Sequence, residues 1–352
     1  MTVNHVDRDL SAMINAFLAD QPAPTFSRSP QALRGRLRFD RSQWQELDAL
    51  GLARLTTGTE LGGSGAGLPE ASILLSSAAY HGVFAPLAEN DLLANWLLQT
   101  AGLPIHGGVR TACVRREPTE VLAVPWAGDV DGVVVLDVSD DGCWVSDLRS
   151  SDFQTSPGSN IAGEPRDDVR LLSDRSERVQ VPRSVAEEFM LRGALARAIQ
   201  MCGSMSRILE LCVDHATTRQ QFGRPISRFQ AVQHLISDIA AETALARMAT
   251  DAAVREVSTD RWDTNSAKFA IATARSCAGH ASSVVVPNAH QVHGAIGTTL
   301  EHSLHLYTRS VLAWRSEFGS VSHWDDVAAR LVTEQEDAWG FIVSGESPAT
   351  VV

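Results

Sequence analysis

Apolar residues recur at helical spacing through the first hundred positions, lose that period in the middle of the chain, and regain it afterwards. Met13, Ile14, Phe17 and Leu18 share one helical face. After a proline-rich stretch (Pro22, Pro24, Pro30), Trp44, Leu47, Leu50 and Leu52 form a second face that stops near Gly51. A glycine loop at 62–67 follows. Pro69 and Pro86 each suit the first turn of a further helix, because a proline there forfeits no helical hydrogen bond. The later of the two carries Leu92, Leu93, Trp96, Leu97 and Leu98 and closes at Gly102 and Pro104.

From about 106 the period shortens. β-rich runs at 121–124, 133–136, 143–145, 169–172 and 179–181 are separated by Gly, Asp, Ser and Pro. Residues 150–168 read as a long polar loop. Helical spacing returns near 185. One segment, about 185–218, carries Phe189, Leu191, Ala194, Ile199, Met205, Ile208, Leu209 and Cys212. A second begins after Pro225, with Phe229, Val232, Leu235, Ile236, Ile239 and Leu245. A third spans about 265–286 and a fourth about 300–317. Four apolar-faced helices with short connections predict an antiparallel bundle. The expected class is α+β: an N-terminal helical domain (1–105), a short middle β-domain (106–184), a C-terminal four-helix bundle (185–340) and a loose tail (341–352).

Composition narrows the function. Asp plus Glu is 42 against 30 for Lys plus Arg, a net charge of −12, so no nucleic-acid partner is expected. No apolar run reaches the roughly 18 residues of a membrane span. The start of the chain lacks the basic and apolar regions of a signal peptide. Five scattered cysteines, 113, 143, 202, 212 and 277, fit reduced thiols and a cytoplasmic location.

Three patterns are candidates for chemistry. The loop Gly62-Gly63-Ser64-Gly65-Ala66-Gly67 lacks the Lys-Ser/Thr ending of a phosphate loop and the last glycine of a nucleophile elbow, so a tight turn is preferred. His290/His293 and His302/His305 are each spaced to share a helix face, a geometry that suits zinc. No glutamate follows the first histidine of either pair, and Gly294 and Gly297 interrupt the helix between them. Structural or surface histidines are therefore preferred, and no metal is expected. The third stretch, 219–230 (Arg-Gln-Gln-Phe-Gly-Arg-Pro-Ile-Ser-Arg-Phe-Gln), joins two helices. An arginine there can clamp a phosphate with paired donors and Phe222 can stack on a flat ring, or the segment is an ordinary turn with a solvated arginine. Chemistry alone does not separate these.

This stretch closely resembles the R-x-x-F-G-x-P-I-x-x-F-Q signature of acyl-CoA dehydrogenases. Seventy-two residues beyond Arg219, Gln291-Val292-His293-Gly294-Ala295-Ile296-Gly297 resembles that family's Q-x-x-G-G-x-G turn, with Ala295 for one glycine. Glu301 and Arg309 fall where the family places an acidic and a basic helix residue. Residues 44–67 resemble its W-x-x-L-x-x-x-G-L…E-x-G-G-x-G segment, and the helix–β–helix order is the family's. The likeness spans nearly the whole chain, is strong over about 186–320 and is poor in the middle.

The resemblance implies an FAD enzyme that desaturates an acyl-CoA thioester between Cα and Cβ and passes electrons to an acceptor protein. It implies cofactor contacts by Arg219, Phe222, Gln291, Gly294 and Ala295, directed at FAD seated mainly in a neighbouring subunit, with Ser320 in the place of a threonine near the flavin. The family's T-E-P-x-x-G-S-D and W-I-T/S elements, which hold the flavin ring, have no clear counterpart; residues 111–118 resemble a remnant of the first, and 124–127 (Val-Pro-Trp-Ala) a motif of actinobacterial relatives. The two family positions for the catalytic glutamate correspond to Phe318 and to Gly193, 26 residues before Arg219. Glu317 is the nearby substitute, but one residue of shift turns it by about 100° around a helix; a surface or capping role is preferred.

The expectation that joins these points is a heteromeric acyl-CoA dehydrogenase, as in α₂β₂ relatives that degrade steroids. This chain would be the shorter subunit, completing a partner's FAD site. Two alternatives stand: a homomeric enzyme with Glu317 as displaced base, and a flavin-free scaffold of the same fold.

Overall fold

The computed structural model describes residues 8–26, 35–116, 120–172, 177–258 and 261–344. The chain divides into two compact units, one of residues 1–78 with 82–193, the other of 79–81 with 194–352.

The first unit opens with α1 (Arg8–Ala19), whose Ile14 and Leu18 are buried, and α2 (Arg41–Ala49), which buries Trp44 and Leu47. The α2 N-terminus is closed by Asp40, whose carboxylate accepts from the Ser42 and Gln43 N–H groups. Gly51, at φ 74°, turns the chain away afterwards. The glycine loop is a turn, as expected, and leads into α3 (Leu68–His81), with proline in its first turn. Next comes a π-helical segment, Ala88–Asn95, continuous with α4 (Trp96–Thr100). The π segment buries Asp91 against the N–H and hydroxyl groups of Thr56 and Thr57.

Among the described residues, seven strands follow: β1 (Arg110–Arg115), β2 (Glu120–Pro125), β3 (Gly132–Ser139), β4 (Gly142–Arg149), β5 (Phe153–Ser156), β6 (Arg166–Leu171) and β7 (Val179–Val181). They form two sheets, ordered β1-β3-β4-β7 and β2-β6-β5, with β1 parallel to β3 and the other pairs antiparallel. Cys113, Val121, Val124, Val133, Val135, Leu148, Phe153 and Val169 build the core they share.

Two strands depart from the sequence expectation. β5 lies inside the stretch read as a polar loop. β1 was hidden by the arginine at each end: Arg110 pairs with Asp147 and Arg115 with Asp137, so both are buried without isolated charge. β1 also occupies most of the stretch read as a flavin-motif remnant; its Glu117 and Pro118 lie outside the described residues.

α5 (Ser184–Thr218) begins in the first unit and contributes its larger part to the second. A short hairpin, β8 (Gln220–Gln221) and β9 (Arg224–Pro225), leads to α6 (Gln230–Val257). α7 (Asn265–His293) runs seven residues past the expected end, through Pro287. A 3₁₀ turn, Gly294–Thr298, precedes α8 (Leu304–Trp314), so the fourth expected segment is helical only in its middle and Glu301 stands outside it. α9 (Val321–Thr333) is a further helix, packed on α7, that the periodicity did not reveal. α10 (Ala338–Ser344) corrects the expected loose tail: Phe341 is buried against Phe269, with ring centroids 5.2 Å apart. Residues 345–352 lie outside the described ones. No described helix is long and apolar enough to cross a membrane.

Candidate functional site

The residues expected to contact the cofactor, together with Glu317, fall at two places in the second unit. The first is where α5 and α7 end. Arg219 follows the last turn of α5, its N–H held by the His215 carbonyl at 2.9 Å. The β8–β9 hairpin then reverses the chain through Phe222 (φ 51°) and Gly223 (φ 75°), both in the left-handed region, and the Ile226 N–H closes it on the Arg219 carbonyl at 2.9 Å. Phe222 is 91% exposed at the tip. Arg219 and Gln291 are also exposed.

α7 ends at Gly294, whose φ of 63° breaks the helix while its N–H caps the His290 carbonyl. Ala295 is not among the positive-φ residues, which explains how alanine replaces the second glycine of the motif without backbone strain. A Cβ on Gly223 or Gly294 would meet nothing within 4 Å, so both stand open to an incoming group. Gly297 is needed for another reason: a Cβ there would lie 2.9 Å from the His293 side chain and 3.0 Å from Leu304.

These two helix ends are neighbours. The His215 ring stacks on the His293 ring, centroids 4.6 Å apart and planes 25° apart. His302 stands edge-on, 4.6 Å from His293 and 6.3 Å from His215. Burial lowers the pKa of all three imidazoles, that of His293 to about 4, so they are neutral at pH 7. Of the two sequence pairs, one histidine from each enters this cluster. His290 instead bonds the Thr308 hydroxyl, and His305 Nδ1 pairs with the His302 carbonyl. His215 was missed because it lies 78 residues before His293, a distance no local spacing rule spans.

The second place is the loop after α8. Glu317 accepts from Arg197 Nε at 2.7 Å, and the Arg197 side chain is only 3% exposed. Arg197 also donates to Gln200 and lies over the Trp314 and Phe318 rings. The buried Arg275 turns one nitrogen, Nη2, toward the carbonyls of Trp314, Arg315, Glu317 and Gly319, at 2.9–3.3 Å. Burial and the neighbouring Arg197 lower the pKa of Arg275 to about 10. Phe318 (φ 54°) and Gly319 (φ 107°) shape the turn, and Trp324 Nε1 donates to the Phe318 carbonyl at 3.0 Å. The Ser320 hydroxyl caps α9, accepting from the His323 N–H at 3.1 Å. The sequence carried a signal for both arginines, since each interrupts an otherwise small and apolar helical face.

The two places are well apart. Arg197 and His215 are 18 residues apart on α5, about 27 Å at helical rise, and Arg275 and His293 are likewise 18 apart on α7. Glu317 and Ser320 therefore do not share a pocket with Arg219 and Gln291.

Residues 183–331 match the family model for the acyl-CoA dehydrogenase C-terminal domain. The chain is 30% identical over 290 residues to acyl-CoA dehydrogenase IpdE2 of Mycobacterium tuberculosis, covering 79% of this chain and 84% of that one. In fold it resembles a chain of the ChsE4-ChsE5 complex from the same organism, with a TM-score of 0.81, 21% identity, and coverage of 95% and 99%. It also resembles butyryl-CoA dehydrogenase from Megasphaera elsdenii, with a TM-score of 0.78, 17% identity, and coverage of 95% and 100%. FAD is the cofactor of the family's flavoprotein neighbours. With the signature residues set at adjoining helix ends and the 30% identity to a dehydrogenase over 79% of its length, this chain belongs to the acyl-CoA dehydrogenase family.

Proposed function

We propose that this chain is one subunit of a heteromeric, FAD-dependent acyl-CoA dehydrogenase, and that it completes from outside a flavin site seated mainly in its partner. The observation that carries this reading is the outward-facing hairpin. Phe222 is 91% exposed in a left-handed conformation, between an exposed Arg219 and the open Gly223. Within its own chain the ring meets Phe229 edge-on, centroids 6.1 Å apart, and the rest of its apolar surface stands free, which suits insertion into another chain. Arg219 would clamp the pyrophosphate with paired donors, Phe222 would pack on the cofactor, and Gln291, Gly294 and Ala295 would border the adenosine half. Bound FAD would supply the hydride-accepting chemistry for desaturation of the thioester.

The proton from Cα falls to the partner in this reading. The positions that match the family's catalytic glutamate carry Phe318 and Gly193. Glu317 is engaged by a buried guanidinium and helps hold the 314–319 turn in place. That engagement puts the homomeric alternative second. The heteromeric ChsE4-ChsE5 neighbour supports a two-subunit arrangement. A steroid-derived thioester is the proposed substrate class, in line with a steroid acyl-CoA dehydrogenase among the fold neighbours, and the cytoplasm the proposed location.

The test is the visible spectrum of the purified chain, alone and after co-expression with a full-length family member. Colourless protein alone, with flavin and desaturase activity in the co-purified complex, is the expected result. Near-stoichiometric flavin and turnover in the chain alone would overturn it in favour of a self-sufficient enzyme.

A further inference from the structure

We propose that His215, His293 and His302 form a binding site for a borderline divalent metal ion, Zn²⁺ above all, that staples the end of α5 to the end of α7. One ring nitrogen of each histidine lies within 4.8 Å of those of the other two. Three imidazoles on a tetrahedral zinc stand roughly 3.3 Å apart, given Zn–N bonds of about 2.0–2.1 Å. The required closure is up to about 1.5 Å, and the half-buried rings of His215 and His302 can turn to supply it.

The chemistry of His293 is the second observation. Its Nδ1 faces the Ala289 carbonyl at 2.9 Å, so that nitrogen carries the proton and Nε2 carries a lone pair. Nε2 is buried, in a side chain 5% exposed, and no described group donates to it. An imidazole whose outer N–H is fixed by a backbone carbonyl while its inner nitrogen is bare is the state in which histidine ligates a metal. A purely structural histidine would gain from a donor at that atom, and none is supplied. His302 receives the Leu304 N–H on Nδ1 at 3.1 Å. Binding through its Nε2 moves its proton to Nδ1 and gives up that one bond, which three metal–nitrogen bonds outweigh.

The donor set selects the ion. Three neutral imidazoles and no carboxylate suit zinc, cobalt, nickel or copper, not calcium or magnesium, which take oxygen ligands. Water would take the fourth position. The placement gives the ion a structural consequence. His215 precedes Arg219 by one helical turn and holds its N–H, and His293 sits between Gln291 and Gly294. Metal binding would tie together the two turns that carry the signature residues. The site itself stands on the imidazole geometry, whatever those turns bind.

The experiment uses the full chain, purified without chelators or a histidine tag. Elemental analysis should find about one equivalent of zinc per chain, and Co²⁺ replacing it should give the visible bands of a tetrahedral site. H215Q and H302Q should each weaken zinc binding roughly tenfold or more in a competition titration against a chromophoric chelator. H290Q and H305Q, which alter the other member of each pair, should bind as the wild type does. Circular dichroism of each variant separates lost ligands from lost folding. Wild-type protein that takes up no zinc overturns the proposal without any variant, and so does zinc uptake that H215Q and H302Q leave unchanged.

Discussion

The Glu317 carboxylate lies 2.7 Å from the Nε of Arg197, while its own carbonyl accepts from Arg275 at 2.9 Å. One residue is thus held at both ends by buried guanidinium groups from two different helices. This arrangement explains why an acid can sit next to the family's base position and still serve the fold.

Glu317→Gln should therefore leave turnover of the assembled complex within a few-fold of the wild type. The buried Arg197 would lose its charge partner but keep Gln200, so stability should fall by about 1–3 kcal/mol. Steady-state kinetics with a urea melt reads both effects. Abolished turnover with unchanged stability would make Glu317 the base.

Arg275→Met should loosen the whole 314–319 turn. It removes the donor shared by four carbonyls, a loss of about 2–4 kcal/mol. Arg275→Lys should recover only part of this, because a single ammonium on a shorter head cannot span the same set. The midpoint of urea unfolding gives the order: wild type, then lysine, then methionine.

Arg219→Ala and Phe222→Ala probe function with little effect on the fold. Both side chains are exposed, so each should change stability by less than about 0.5 kcal/mol. Flavin content of the co-purified complex should drop in both. Unchanged flavin content with either variant would remove that residue from the cofactor contacts.

Exchanges at Gly294 and Ala295 should each destabilise, for different reasons. Gly294→Ala places a side chain at φ 63° and ψ −146°, a region close to glycine-only, and should cost about 1–3 kcal/mol. Ala295→Gly restores the family's second glycine where the backbone does not need it, and should cost up to about 1 kcal/mol through the freer unfolded chain. Thermal melting of the two variants is sufficient to check this.

Glu210 should make stability depend on acid pH. The Tyr80 hydroxyl, 2.5 Å away, and Arg207 hold its carboxyl below the usual 4.5. The unfolded chain then binds the proton more readily than the folded one. The contribution is complete above 4.5 and is lost as pH falls through the lower folded value. At this half-exposed pair it amounts to about 1 kcal/mol or less. The urea midpoints of wild type and Glu210→Gln, compared from about pH 6 down to about pH 3.5, should converge toward acid. A gap that widens toward acid would refute this account.

Much of the fold was legible because its signals are local. Ile14 and Leu18, the proline at the start of α3, and Gly51 and Gly294 with their positive φ all act within a turn or two of the chain. The family signature was legible for the same reason: the 219–230 hairpin and the 291–297 turn are short segments whose conformation their own residues impose.

What the sequence by itself determined, then, is the order of most helices and most strands, the family, and the chemistry that the two turns can offer. The tertiary structure alone decided which distant charges neutralise each other and which side chains share a site. Arg110 could end a buried strand only once Asp147 stood opposite it, and Glu317 took its role only from Arg197, 120 residues earlier. His215 joined His293 and His302 only when α5 and α7 ended side by side. The physical reason is one of range. Backbone preference and hydrophobic periodicity are set by neighbours along the chain, whereas burial of charge and convergence of imidazoles depend on groups that meet only after folding.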